Sequence, residues 1–358
     1  MEGKSKFIQK MKVSVMVTLI FAVTLGGSLA VKADEEELVS MQKYEYPVTP
    51  EDDAWDKLES VEEKISACRI PQSILENMTD EQLLQAILDF PFWCDVFVYS
   101  SREEGVCNFE EICDAYAELV KRESAVEVLK DGMTTNTFAR SVSVDVQDEI
   151  NNEILSTLIL YQNDFQEELT MEEIQEIAQV SSTIEINMLD EKASASTYAT
   201  YTIKTPNGTA VPYITRACSH STSSYHKTID KQVADTYGVS IVSYGSCKYN
   251  CHSYAWYSQS TSNSYWINNP SVYMTDGSYS KVASGLNTSS SNVASGDRVF
   301  YGTTSSPSHS GIFTSSATGE PIATRTVKSK WGECGVFKHS VSNVPSIYDL
   351  KNISAWHR

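Results

Sequence analysis

Past Leu25 the chain has no apolar run near the roughly 20 residues that a bilayer-spanning helix requires, so no membrane span is expected there. A Gly-rich phosphate loop is missing too, which removes the commonest route to nucleotide binding. Basic residues are scarce, 28 Lys and Arg against 47 Asp and Glu. They are scattered rather than striped, so nucleic acid is not an expected partner. No Cys-x2-Cys pair occurs, and with it the usual spacing of a structural zinc module is absent. No internal repeat is visible, which argues against a solenoid.

The first residues do carry a signal. Lys4, Lys6, Lys10 and Lys12 precede an uncharged run from Val13 to Leu25, followed by small residues. This is the pattern of a secretory signal peptide over residues 1–33, with cleavage expected after Ala30 or Ala33. An uncleaved anchor would need a longer apolar run. No cysteine follows either cleavage site, so a lipid anchor is not expected. The mature chain is expected to be secreted or associated with the cell wall, with no membrane contact after cleavage.

Charge divides what remains. Residues 34–190 hold 38 acidic and 9 basic side chains, whereas residues 191–358 hold 8 and 14. Such asymmetry predicts two units with different surroundings, and an acidic half able to dock over a basic one. All eight cysteines lie beyond residue 33. Export permits disulfides, yet the spacing lacks the density of a small disulfide scaffold.

Residues 34–190 read as an acidic all-α domain. Thr79 to Gln82 has the form of a capping box ahead of Leu83, Leu84, Ile87 and Leu88. Asn108 with Glu111, and Thr170 with Glu173, repeat the signature, and Val146 to Tyr161 is apolar at helical spacing. A Ser/Ala/Thr-rich linker is expected over residues 191–200. From 201 to 358 the grammar changes. Asn207-Gly208 lies between extended flanks, a hairpin signal. A helix is expected from Ser224 to Tyr237 and a strand from Val239 to Val242. Four further strands are expected at "RVFYG", "SGIFT", "IATRTV" and "GVFKH". Helices followed by an antiparallel sheet predict an α+β fold.

"YNCHSYAW", residues 249–256, sets a cysteine at a helix start. Unpaired N–H groups and the positive helix end would favour a thiolate there, and the Cys251 amide could serve an oxyanion. Fast, selective labelling of Cys251 near neutral pH would follow. A thiol nucleophile also needs a base close in space. "SGDRVFYGTTSSPSHSGIF" supplies His309 at the entry to a strand. His252 is adjacent to Cys251 and cannot face it on a helix, so it is expected on the helix surface or behind the site. Other roles remain open for Cys251: a small buried residue, a disulfide with Cys247 or a bridge to Cys218 or Cys334, or a zinc set of Cys247, Cys251, His252 and His309. The loose spacing disfavours that set, so no metal and no cofactor are expected. His220 and His226 receive no role.

"NCHSYAW", "SGDRVFY" and "SHSGIF" resemble the cysteine and histidine motifs of papain-like bacterial cell-wall hydrolases. The relevant branches are the NlpC-type peptidases and the cysteine-, histidine-dependent amidohydrolase/peptidase (CHAP) domains. The likeness covers roughly residues 244–337 and leaves the acidic half untouched. It implies a papain-like (NlpC-type) catalytic domain over residues 201–358, with a nucleophile-bearing helix on an antiparallel sheet. It further implies amide hydrolysis of peptidoglycan or peptide substrates, Cys251 as nucleophile and His309 as general base and acid. The families carry a third polar residue on the strand after the histidine. Here that segment offers Ser329, Thr324 or Thr326, with His339 one strand further, and Ser329 is favoured. Trp331 is a candidate cleft wall, and Tyr249 or Tyr244 a hydroxyl near the oxyanion. The competing reading is a non-enzymatic surface protein that keeps the fold. If the acidic half restrains the site, deleting residues 34–190 should raise activity.

Overall fold

Gln82 N–H donates to Thr79 Oγ1 and Thr79 N–H donates to Gln82 Oε1, closing the expected capping box. Thr170 and Glu173 close another in the same reciprocal way. Asn108 does not begin a helix. Ser101 caps one turn and more earlier, accepting from Glu104 N–H at 3.1 Å, and Asn108 lies buried mid-helix, donating to Asp95. The correction has a local reason: Ser101 precedes Glu103 and Glu104, acidic residues suited to a helix's first turn.

The computed structural model describes residues 43–133, 145–180, 201–218, 220, 224–316 and 319–358. The expected leader (1–33) and linker (191–200) lie outside the described residues. The helices are α1 Val61–Ala67, α2 Gln72–Leu75, α3 Asp80–Leu88, α4 Arg102–Ile112, α5 Asp114–Leu119, α6 Ala125–Asp131, α7 Val146–Leu160, α8 Asn163–Gln166, α9 Met171–Val180, α10 Tyr225–Tyr237, α11 Cys251–Trp256 and α12 Ser271–Thr275. None of them is long and apolar enough to cross a membrane. The strands are β1 Tyr201–Lys204, β2 Ala210–Tyr213, β3 Ser240–Ser243, β4 Ser280–Ser284, β5 Arg298–Gly302, β6 Pro307–Phe313, β7 Thr326–Lys330, β8 Val336–Ser340 and β9 Ile353–His357.

The fold is α+β with antiparallel sheets. The hairpin at Asn207-Gly208 joins β1 to β2. The main sheet has seven strands in the order β3-β8-β7-β6-β5-β9-β4. Two departures from the expected strands stand out. Ile322–Thr324 is a short 3-10 turn, so β7 begins only at Thr326. Strands β4 and β9 join the sheet as well, with β9 wedged between β5 and β4.

Alternation along the strands gives the sheet two buried faces. One face presents Val299, Tyr301, Val327, Phe337 and Ala355, which share a hydrophobic core with Trp55, Phe92, Phe97 and Val98 of the acidic part. The other presents Phe300 and Trp356, packed with Ala255, Trp256, Tyr273 and Met274. Lys43–Arg358 is therefore one compact unit with helices on one side of the sheet and α11 on the other. Gly332 shows how close the parts come. It has φ +46°, and a Cβ there would lie 2.3 Å from the Phe97 carbonyl oxygen. Only glycine admits that approach.

Candidate functional site

Asn250 caps α11. Its Oδ1 accepts from Ser253 N–H at 3.1 Å, while its Nδ2 donates to the Ile267 carbonyl at 2.8 Å. Two anchors on one buried side chain set Cys251 as the first helical residue, where the sequence places it. The loop leading in is tied down equally well. Lys330 Nζ donates to the Ser246 carbonyl, and Asp230 accepts from Gly245 N–H and Gly335 N–H at 2.6 Å each.

The thiol is not ionised as the helix start suggested. Cys251 is 1 % exposed, and burial pushes it up to about 11. The Ser100 hydroxyl and the backbone N–H groups of Ser310 and His252 act in the opposite direction and lose. The magnitudes explain the correction. A helix terminus supplies about 0.3–1 kcal/mol, and α11 has six residues, whereas full burial can move an ionisable group by about 3–5 pH units. Ser100 Oγ lies 3.7 Å from the sulfur, so the residue covering the thiol comes from the acidic part.

His309 sits in β6, opposite Tyr301 of β5. It is fully buried, its ring stacks on Tyr348 at 4.0 Å and 11°, and neither ring nitrogen has a hydrogen-bond partner. Burial first, then the nearby imidazoles of His339 and His252, hold it neutral, well below its ordinary value. Cys251 and His309 share no hydrogen bond. The alternation of β6 is the reason. Ser310 Oγ faces α11, accepting from Trp256 Nε1–H and bonding His252 Nδ1. The imidazole next in sequence points toward the other face, with Tyr301 and Tyr348.

His252 is buried, not on a helix surface. Burial lowers it to about 3, so it is neutral near pH 7, and its Nδ1 shares a hydrogen bond with the Ser310 hydroxyl that also accepts from Trp256. Ser329 does not reach His309. Trp331 Nε1–H donates to Ser329 Oγ at 2.8 Å, and that hydroxyl bonds His339 Nε2 at 2.6 Å. His339 Nδ1 in turn bonds the Ser340 carbonyl. Thr324 bonds the Pro321 carbonyl, and Thr326 gives its own carbonyl to Thr314. Trp331 is no cleft wall: it is fully buried against Tyr237 and Phe337. Tyr249 is buried under Lys330, while Tyr244 is half exposed beneath Lys227.

Cys247 joins neither Cys251 nor His309. Its Sγ converges with Cys218 Sγ and with ring nitrogens of His220 and His226, all four within 4.8 Å of one another. The two histidines given no role by the sequence thus belong to a four-residue cluster whose donor atoms could hold a metal ion. The available signal was the set Cys218-x-His220, His226 and Cys247, whose members are spread over thirty residues and meet only when α10 folds back on the loop after β3. Comparison with protein-family models, with curated proteins and with solved structures finds no match for this chain, so the site is read from its own chemistry.

Proposed function

We propose that the chain is an exported thiol-dependent amidohydrolase or peptidase with a papain-like, NlpC-type catalytic arrangement, acting on amide bonds of peptidoglycan or of peptides. One observation carries this reading: Cys251 opens a capped helix with the Ser310 N–H against its sulfur, and the preceding strand residue, His309, is buried with both ring nitrogens unpartnered. Buried polar groups are normally satisfied, and an imidazole without a partner, one residue from the strand N–H that meets a thiol, suits a base awaiting its proton donor.

In the proposed reaction His309 takes the Cys251 proton as the sulfur attacks the amide carbonyl. The Cys251 amide steadies the oxyanion. His309 then returns the proton to the leaving amine, and water deprotonated by His309 hydrolyses the thioester. The described arrangement is closed, since Ser100 covers the thiol and Tyr348 occupies the face of the imidazole. Substrate entry therefore requires the segment around Ser100 to shift.

The test is release of new amino termini from purified cell wall by the full mature chain. Activity is expected for the wild type and not for Cys251→Ala or His309→Ala; undiminished release by Cys251→Ala would end the proposal. A non-catalytic surface protein is the second reading, favoured by Ser329 being engaged with His339 and by the missing Cys251–His309 bond. That reading stands if wild-type chain releases nothing and wall fragments leave Cys251 labelling unchanged.

A further inference from the structure

Four metal-ligating side chains meet on the far side of the Cys251 loop. Cys218 and His220 follow β2, His226 lies in the first turn of α10, and Cys247 lies four residues ahead of Cys251. Cys218 Sγ is 3.2 Å from His226 Nε2, Cys247 Sγ is 3.3 Å from His220 Nε2 and 3.9 Å from His226 Nε2. Both imidazoles thus turn the same nitrogen inward. We propose that Cys218, His220, His226 and Cys247 form a closed, four-ligand structural site for a zinc ion.

Donor chemistry selects the metal. Two thiolates and two imidazoles are a standard tetrahedral zinc set, and a site with all four positions filled by protein is structural rather than catalytic. Charge balances: zinc displaces one proton from each thiol, so two thiolates meet a divalent ion and two protons leave.

The surroundings fit ligands rather than idle side chains. The Cys247 backbone N–H donates to Cys218 Sγ at 3.0 Å, as a main-chain donor does toward a metal-bound sulfur. Glu149 Oε1 is 4.0 Å from His220 Nδ1, the nitrogen facing away from the sulfurs. A carboxylate at ion-pair rather than hydrogen-bond distance on that side of the ring favours the proton on Nδ1 and leaves Nε2 for a metal. The His220 ring stacks on Tyr225 at 3.6 Å and 10°, which sets its plane. On the other histidine, a Cβ at Gly245 would lie 2.8 Å from His226 Nδ1 and 2.7 Å from the Glu333 carbonyl oxygen. Glycine at 245 is what lets the loop close over this ring.

The competing chemistry is oxidation. The two sulfurs are 2.7 Å apart, longer than a disulfide bond and shorter than the roughly 3.7 Å expected between two thiolates on one zinc. An exported chain could join them covalently, so the experiment separates the two outcomes.

Full mature chain purified without chelator is assayed for bound metal by inductively coupled plasma mass spectrometry, with its intact mass recorded. About one zinc per chain is expected, lost in Cys218→Ser and Cys247→Ser and kept in Cys251→Ala and Cys107→Ser. No zinc together with a mass lower by two hydrogens, lost in Cys218→Ser, would overturn the proposal in favour of a disulfide. Zinc retained by both Cys218→Ser and Cys247→Ser would overturn it equally. Should those variants fail to fold, cobalt exchange into the wild type decides. Thiolate-to-cobalt charge-transfer absorption supports the site, and its absence defeats it. These readouts do not depend on hydrolysis.

Discussion

Ser100 Oγ and Cys251 Sγ lie 3.7 Å apart, although one belongs to the acidic half of the chain and the other to the candidate catalytic helix. The contact places the thiol out of reach of solvent. It also ties the chemistry of Cys251 to a segment, Trp93–Ser101, that is itself pinned to Tyr348 through the Val98 carbonyl and to Glu333 through the Phe97 carbonyl.

Alkylation of the full mature chain reports this cover. Exposed Cys107 should react first near pH 7.5, with Cys251 far behind. Because burial holds the thiol near 11, its labelling rate should rise about tenfold per pH unit through the range below that value, in step with the thiolate fraction. Mass-spectrometric mapping of the alkylated cysteines measures it. A rate that levels off soon above about pH 9 would show an ordinary, uncovered thiol.

The shared core makes a different expectation for truncation than the charge map did. Deleting residues 34–190 removes Trp55, Phe92, Phe97 and Val98 from the core that also holds Tyr237, Trp331 and Tyr348. The remaining chain should unfold, read as loss of a cooperative melting transition, instead of gaining activity. Arg102 is a finer probe. Its guanidinium meets Glu333 at 2.8 Å, Glu153 at 3.0 Å and Thr157 at 2.6 Å, all buried. Arg102→Met should cost about 3–5 kcal/mol in urea unfolding, since it takes from Glu153 and Glu333 their shared buried cation, Arg216 reaching only Glu333 at 3.5 Å. Adding Glu153→Gln and Glu333→Gln should recover part of that loss. A cost below about 1 kcal/mol, the range of an exposed pair, would show that the parts are not coupled here.

Asp95 gives a pH signature. It is fully buried, and burial raises it to about 7, while the hydrogen bonds from Tyr237 and Asn108 act the other way. A raised carboxyl binds its proton in the folded state between its ordinary 3.8 and about 7. Its contribution therefore falls as pH rises through that window, by at most about 1.4 kcal/mol per pH unit. Asp95→Asn should be near neutral at pH 4 and increasingly stabilising, relative to wild type, toward pH 8. Denaturation at several pH values gives the difference curve. A flat curve would mean the carboxyl titrates as an exposed one.

Much of the local structure was legible. The boxes at Thr79 and Thr170, the turn at Asn207-Gly208 and the helix opening at Cys251 each depend on contacts within a few residues. Strand β9 was missed because its register is set by pairing with β4 and β5, both more than fifty residues away. Asn108 misled because its partner is a buried Asp95 on another element, a relationship no spacing rule reports. Ser329 was a reasonable third group by position, but Trp331 and His339 compete for its single hydroxyl and leave nothing for His309.

By itself the amino-acid order determined where several helices begin, which faces of the strands are apolar, and that a cysteine heads a helix with a histidine on a later strand. Those properties follow from caps, periodicity and turn chemistry acting over a few residues. Tertiary structure alone decided the ionisation of Cys251, the outlook of His309, and the meeting of Cys218, His220, His226 and Cys247. Each of those depends on burial and on side chains brought together from distant segments, and the free energy of a charge or a ligand set is fixed by what surrounds it.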